Sequence, residues 1–123
     1  MKIYESAEDY LERILMLKKE NGKVISLDIA VSMNYSKASV SRAIKNLKEN
    51  NYITVDSKGE IELTPTGLKI AERMYTRHTI LSDFFVSIGV DSKIAKKDAC
   101  KVEHGLSDET FEAIRKLIEE YKK

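Results

Sequence analysis

The order of structural signals in the first half of the chain constrains its fold most strongly. A short segment, "SLDIAVSM", precedes Asn34, a residue that readily adopts the left-handed conformation of a tight turn. Ser36 then fits the N-cap of a helix, "KASVSRAIKNLKEN", in which Val40, Ile44 and Leu47 share one face. Two strand-like segments, "YITV" and "EIEL", flank the turn sequence "DSKG". This order predicts a winged helix-turn-helix.

Helices are expected to dominate elsewhere, because Pro65 is the only proline and turn signals are sparse. The sequence "SAED" fits a capping box, so a first helix should begin at Ser6 and end near Asn21-Gly22. Pro65 occupies the tolerated first position of a long fourth helix that should end at Gly89. The fold class is therefore mainly α, with three helices and a β-hairpin wing at the N-terminus.

The C-terminal half is predicted to form a helical dimerisation domain. A fifth helix should begin at Asp91 or Ser92 and end at Gly105, and a sixth should begin at Ser107. The sixth helix has an apolar stripe from Phe111 to Tyr121. Three helices on roughly 60 residues make a thin core, so this half should complete itself in a homodimer. The expected domains are residues 1–64 and residues 65–123.

Composition limits the class and the compartment. Charged residues are 33% and hydrophobic residues 42%, which is typical of a globular protein. No apolar run approaches the ~18 residues of a membrane span, and the N-terminus lacks a signal-peptide core. A single cysteine cannot form an internal disulfide. We therefore expect a cytoplasmic protein with no membrane partner.

A local basic stripe suggests contact with nucleic acid, although the net charge is only +1. Residues 29–48 contain no acidic side chain, and the cations among them are Lys37, Arg42, Lys45 and Lys48. A solvated helix face is the simpler explanation of four cations. Because the stripe falls on the second helix of the helix-turn-helix, DNA binding is the better interpretation.

The stretch "DACKVEHGL" contains three potential metal ligands, Cys100, Glu103 and His104. In a helix, positions i, i+3 and i+4 share one face, so the three side chains should converge. Each also has a structural explanation, since a lone cysteine is most often a small buried hydrophobe. A catalytic pair of Cys100 and His104 is disfavoured, because no oxyanion-forming motif accompanies them. The protein is not expected to be an enzyme.

Three segments in order, "AEDYLERI", "TRHTILSDFF" and "DACKVEHGLS", resemble the metal-dependent repressors of the diphtheria-toxin-repressor and manganese-transport-regulator (DtxR/MntR) family. The segment "LTPTGLKIAERM" adds to the resemblance, which covers nearly the whole chain. It implies a homodimeric repressor of metal-homeostasis genes that binds operator DNA and uses Mn²⁺ or Fe²⁺ as corepressor. No small organic ligand is expected. The implied metal ligands are Asp9, Glu12, His78, Cys100, Glu103 and His104.

The implied ligand set is a hybrid of two branches of the family. The two carboxylates of the first helix match the manganese branch, and Cys100 matches the iron branch. Ser82 and Lys96 stand where the iron branch has ligands of an ancillary site, and an ammonium cannot ligate. The family's SH3-like domain would follow Lys123, so it is not expected here. Carboxylates and imidazoles suit Mn²⁺ or Fe²⁺, whereas a thiolate shifts preference toward Fe²⁺, Co²⁺ or Zn²⁺. One or two ions are possible, and Glu12 and Glu103 are the residues placed to bridge a pair.

The resemblance also implies the DNA contacts. Ser36, Ala38 and Arg42 should face base edges, while Ser39, Ser41 and Lys45 should hold phosphates. Lys37, beside the N-cap, and Lys58, in the turn of the predicted wing, complete the set. The alternative is a winged-helix DNA-binding regulator without a metal switch, whose affinity would not respond to chelators.

Overall fold

The computed structural model describes residues 5–122, so the outermost residues of both predicted domains lie outside it. It confirms a mainly α fold with a two-stranded antiparallel hairpin after three helices. Within this range, no helix is both long and apolar enough to span a bilayer. The elements in chain order are α1 (Glu5–Asn21), α2 (Ser26–Met33), α3 (Lys37–Glu49), β1 (Ile53–Val55), β2 (Ile61–Leu63), α4 (Pro65–Ser87), α5 (Ser92–Val102) and α6 (Asp108–Lys122).

The chain divides into two compact units, Met1–Arg73 and Met74–Lys123. The division falls inside α4, so the N-terminal part of this helix belongs to the first unit. The predicted functional division after residue 64 instead assigns the whole helix to the C-terminal part, and it stays a prediction.

The turn between α2 and α3 has the predicted geometry. Asn34 adopts the left-handed conformation with φ of 58°, and its N–H donates to the carbonyl of Ala30. Ser36 is the N-cap of α3, because its side-chain oxygen accepts a hydrogen bond from the N–H of Ser39 at 3.1 Å. The predicted apolar face of α3 is buried in the core. These contacts fix the direction in which α3 leaves the turn.

The hairpin forms a wing with a defined tip. Ile53 pairs with Leu63, and Val55 pairs with Ile61. The Asp56 carboxylate accepts hydrogen bonds from the N–H groups of Lys58 and Glu60, which closes the turn. The wing is also attached to the segment before α2, since the N–H of Ile61 donates to the carbonyl of Val24 at 2.8 Å.

The junction between the wing and α4 is tightly packed. The carbonyl of Tyr52 accepts a hydrogen bond from the N–H of Thr64 at 3.0 Å. The Thr64 hydroxyl donates to the carbonyl of Asn51 and accepts from the N–H of Gly67. Gly67 lies so close to the backbone of Tyr52 that an added Cβ would be 2.0 Å from the Tyr52 carbonyl oxygen. A side chain at position 67 would therefore force the two backbone segments apart.

The second unit has a small core formed by α4, α5 and α6. Leu81, Ala99 and Phe111 are its buried centre, and larger partly buried side chains surround them. The predicted helix signals hold here, since the side chain of Asp91 caps α5 and that of Ser107 accepts from the N–H of Thr110. In the single chain, most of the apolar stripe of α6 stays at least partly exposed. Phe111 is buried, whereas Leu117 is 42% exposed and Tyr121 is 82% exposed.

One helix start differs slightly from the prediction, and another has an unusual N-cap. α1 is already helical at Glu5, one residue before the predicted start at Ser6. α2 includes Ser26 as its first residue, and Ile25 is its N-cap. An isoleucine side chain cannot cap a helix, but the Asp28 carboxylate accepts a hydrogen bond from the Ile25 N–H at 2.9 Å. This carboxylate satisfies a backbone donor at the start of α2 in the way of the N3 residue of a capping box.

Candidate metal centre

Three potential metal ligands meet in the second unit, one from α4 and two from the end of α5. Ligand atoms of His78, Cys100 and Glu103 all lie within 4.8 Å of one another. Nδ1 of His78 is 3.6 Å from Sγ of Cys100 and 3.2 Å from Oε2 of Glu103. The predicted convergence holds for the thiol of Cys100 and the carboxylate of Glu103, but the imidazole of this group is that of His78 on α4 and not that of His104.

The predicted end of α5 at Gly105 is wrong, because the helix ends at Val102 and Glu103 is its C-cap. The N–H of Glu103 still donates to the carbonyl of Ala99 at 2.9 Å, as in an α-helix. The N–H of Gly105 instead donates to the carbonyl of Val102, three residues back, which tightens the chain into a turn. Glu103 therefore keeps its helical register relative to Cys100, and His104 lies in the turn beyond the helix.

Glu103 is the centre of the group. Its side chain is fully buried, and its two carboxylate oxygens contact two imidazoles. Oε2 lies near His78, and Oε1 is 3.3 Å from Nε2 of His104. A buried carboxylate is costly unless positive charge or hydrogen-bond donors compensate it, so this position demands a cation or protonated histidine nearby.

The electrostatics favour a protonated His78 when no metal is bound. Hydrogen bonds with Cys100 and then with Glu103 raise the pKa of His78 to about 10, and partial burial of the ring opposes this rise. An imidazolium has no free lone pair on Nδ1, so a metal ion must displace its proton. The same negative environment that holds this proton would hold a divalent cation.

The residues present fit a transition-metal ion. Metal–ligand bonds to nitrogen, oxygen and sulfur are about 2.0–2.3 Å long, so two ligands of one ion lie at most about 4.6 Å apart. The His78–Cys100 and His78–Glu103 separations of 3.6 and 3.2 Å fall within this limit. Imidazole and thiolate ligands suit Fe²⁺, Co²⁺ and Zn²⁺, and a carboxylate also suits Mn²⁺.

The other two predicted ligands belong to the first unit. Asp9 and Glu12 lie three residues apart on α1, so they share a face of that helix. Glu12 is buried and Asp9 is half-buried. Their participation in a site with His78, Cys100, Glu103 and His104 stays a prediction from the resemblance.

The predicted DNA-contact residues lie on α3, at its N-cap and on the wing. Ser36 donates its hydroxyl proton to the Ser39 hydroxyl at 2.9 Å while it caps the helix, so both side chains are partly engaged in the turn. The exposed residues of the predicted set are Ser36, Lys37, Ala38, Ser41, Arg42, Lys45 and Lys58, and Ser39 is half-buried.

Sequence reasoning missed Arg77, the residue immediately before His78. Its guanidinium is buried and contacts the turn that contains Glu103 and His104. An arginine next to a candidate ligand was the only signal in the sequence. Its partners lie 26 to 31 residues away, at a separation that no local pattern reveals.

The fold and the group of ligands define a class: a winged helix-turn-helix protein whose helical C-terminal unit has the residues of a transition-metal site. Two family models match the chain in succession. The "iron dependent repressor, N-terminal DNA binding domain" matches residues 2–61, and the "iron dependent repressor, metal binding and dimerisation domain" matches residues 64–123. The chain belongs to this iron-dependent repressor family, which confirms the resemblance to DtxR and MntR.

Similar proteins agree with this membership. An uncharacterised HTH-type transcriptional regulator of Methanocaldococcus jannaschii is 35% identical over 96% of each chain. The HTH-type transcriptional regulator MntR of Shouchella clausii is 36% identical over 93% of this chain and 80% of its own length. The solved structure of the manganese regulator SloR is 26% identical and covers 97% of this chain with a TM-score of 0.81. The chain spans about half of that solved protein, 55% of its length.

Proposed function

We propose that this protein is a homodimeric, cytoplasmic transcriptional repressor that binds operator DNA when Mn²⁺ or Fe²⁺ is bound and that controls metal-homeostasis genes. The observation that carries the proposal is the group of His78, Cys100 and Glu103 in a member of the iron-dependent repressor family. The protein has no catalytic role in this proposal, and its partners are double-stranded DNA and a second copy of itself.

Residues 1–64 are proposed to form the DNA-binding domain and residues 65–123 the metal-binding and dimerisation domain. The matched ranges of the two family models, residues 2–61 and 64–123, support this division. The helix α4 then links the two functions, since it begins directly after the wing and contains His78.

The proposed metal site includes Asp9 and Glu12 from α1 together with His78, Cys100, Glu103 and His104. These residues would hold a divalent cation, whose coordinate bonds would offset the repulsion among the carboxylates and the thiolate. Because α1 belongs to the DNA-binding domain, ligation by Asp9 and Glu12 would restrict the movement of that domain before DNA arrives. The entropy cost of fixing the DNA-binding domain would then be met by metal binding and not by DNA binding, which couples the two binding events.

Helix α3 is proposed to enter the major groove. Its exposed residues support this, since Ala38 and Arg42 are both exposed on α3. Ser36, Ala38 and Arg42 are assigned to base edges. The assigned phosphate contacts are Lys37, Ser39, Ser41, Lys45 and, on the wing, Lys58.

The deciding experiment measures affinity for an operator selected from random DNA with and without metal. Wild-type protein is compared in chelator and in Mn²⁺ or Fe²⁺, and coupling of this kind is typically ~1–3 kcal/mol, or roughly five- to 150-fold. Asp9→Ala should fold normally and lose the metal response. Glu20→Ala, an exposed carboxylate near the other end of α1, is the matched control and should keep it. Equal wild-type affinity in both conditions would replace the proposal with a winged-helix regulator that has no metal switch.

A further inference from the structure

Arg77 is buried inside the second unit, where it contacts three separate groups. Only 3% of its surface is exposed. Nη1 donates hydrogen bonds of 2.8 Å to the backbone carbonyls of both Glu103 and Leu106. Nη2 forms an ion pair with the carboxylate of Asp108, in the first turn of α6. The guanidinium therefore joins α4 to both ends of the turn between α5 and α6.

These contacts require a guanidinium. Burying a cation is costly unless it is paired and hydrogen-bonded, and the planar fork of arginine can donate in several fixed directions at once. The guanidinium carbon of Arg77 also lies 5.1 Å from the centre of the Phe111 ring, a cation–π arrangement. A single ammonium cannot occupy the positions of Nη1 and Nη2 at once, so it would lose either the two carbonyls or the ion pair with Asp108.

The turn that Arg77 holds contains two consecutive candidate ligands. The carbonyls at the end of a helix have no partners within the helix, and a turn that follows such an end is free to move unless something binds them. Arg77 binds the carbonyl of Glu103 itself, and Asp108 anchors the other side of the guanidinium. The next residue after Arg77 is His78, so one turn of α4 both supplies a ligand and fixes the backbone of Glu103 and His104.

From these contacts we infer that Arg77 is a positioning residue of the metal centre: it holds the turn of residues 103–106 so that Glu103 and His104 are presented to an ion bound by His78. This inference rests on the proposed metal binding. Hydrogen-bonded groups behind the ligands of a metal are commonly worth 10- to 100-fold in metal affinity. Arg77 differs from most such groups because it acts on backbone carbonyls and not on the ligand side chains.

The test uses Co²⁺, whose absorption bands report thiolate ligation and coordination geometry, with the full chain. Arg77→Lys should bind Co²⁺ roughly 10- to 100-fold more weakly than wild type, with altered bands at saturation, because the charge remains but the fork is lost. Arg115→Lys is the matched control. Arg115 is ion-paired too, but to Glu112 and Glu119 of its own helix, and it contacts no part of the ligand turn. The Co²⁺ affinity and the spectrum of Arg115→Lys should therefore equal those of wild type.

Unfolding by urea without metal separates positioning from general stability. If Arg77→Lys is destabilised yet binds Co²⁺ with wild-type affinity and bands, Arg77 is only a structural residue and the inference is wrong. If Arg77→Lys does not fold, the Co²⁺ affinity of Asp108→Asn is measured instead. The Asp108 side chain is 75% exposed, so replacing its carboxylate with an amide should not prevent folding. Unchanged Co²⁺ affinity in Asp108→Asn then overturns the inference, and a weakened one supports it. Failure of wild type to bind Co²⁺ at all would instead refute the proposed function.

Discussion

The substitution Gly67→Ala tests the junction between the wing and α4. An alanine Cβ at this position would be 2.0 Å from the carbonyl oxygen of Tyr52 and 3.0 Å from its carbonyl carbon. Ordinary contact begins near 3.4 Å, so the two segments must separate by roughly 1.4 Å. Both neighbours are backbone atoms, and the same oxygen accepts the hydrogen bond from Thr64, so no flexible side chain can absorb the movement.

The expected loss of stability follows from two costs and one smaller gain. Overpacking of a tight site costs about 1–3 kcal/mol, and weakening of the Thr64–Tyr52 hydrogen bond costs a further ~0.5–1.5 kcal/mol. The better helix propensity of alanine returns at most about 1 kcal/mol. The free energy of unfolding should therefore fall by about 0.5–4.5 kcal/mol. For a unit of this size, each kcal/mol corresponds to a decrease in Tm of roughly 4–8 °C.

Urea and thermal unfolding of the metal-free protein measure this loss, and Gly105→Ala is the control. A Cβ at position 105 would meet only the carbonyl of Val102, at 3.8 Å, so this substitution should leave stability almost unchanged or slightly raise it. Operator affinity of Gly67→Ala should also fall, because Tyr52 directly precedes the wing strand β1. If Gly67→Ala unfolds at the same urea concentration as wild type, the close approach of α4 to Tyr52 is not present in solution.

Three further predictions concern DNA, assembly and metal choice. Arg42→Ala should relax operator specificity at one base pair per half-site by ~1–3 kcal/mol, as measured by binding to a set of single-substituted operators; equal losses on every operator would make Arg42 a phosphate contact. Sedimentation at micromolar concentration should give a dimer that buries the exposed part of the α6 stripe, including Leu117 and Tyr121, and Leu117→Glu should shift it toward monomer; a wild-type monomer with and without metal would contradict this. Cys100→Ser should weaken Co²⁺ and Zn²⁺ binding more than Mn²⁺ binding in competition titrations, because the thiolate is the soft ligand; unchanged affinity for all three metals would show that Cys100 does not ligate.

The sequence by itself determined the local structure and the class of protein. Asn34 predicted a left-handed turn and Ser36 predicted a helix cap, since both depend only on what one side chain can do with its neighbouring backbone. Pro65 predicted the start of α4 for the same reason. The order of these local signals, with the ligand residues at helical spacing, was enough to indicate the winged helix and the repressor family.

The contacts between residues far apart in the sequence were decided only by the tertiary structure. The end of α5 at Val102 could not be predicted from Gly105, because the turn there is fixed by a guanidinium from α4. Nothing in the sequence around Gly67 indicated that the backbone carbonyl of Tyr52 would approach its Cα. The contact of His78 with both Cys100 and Glu103 likewise depends on the packing of α4 against α5. Such contacts arise from three-dimensional packing between segments 15 to 31 residues apart, and no local propensity encodes them.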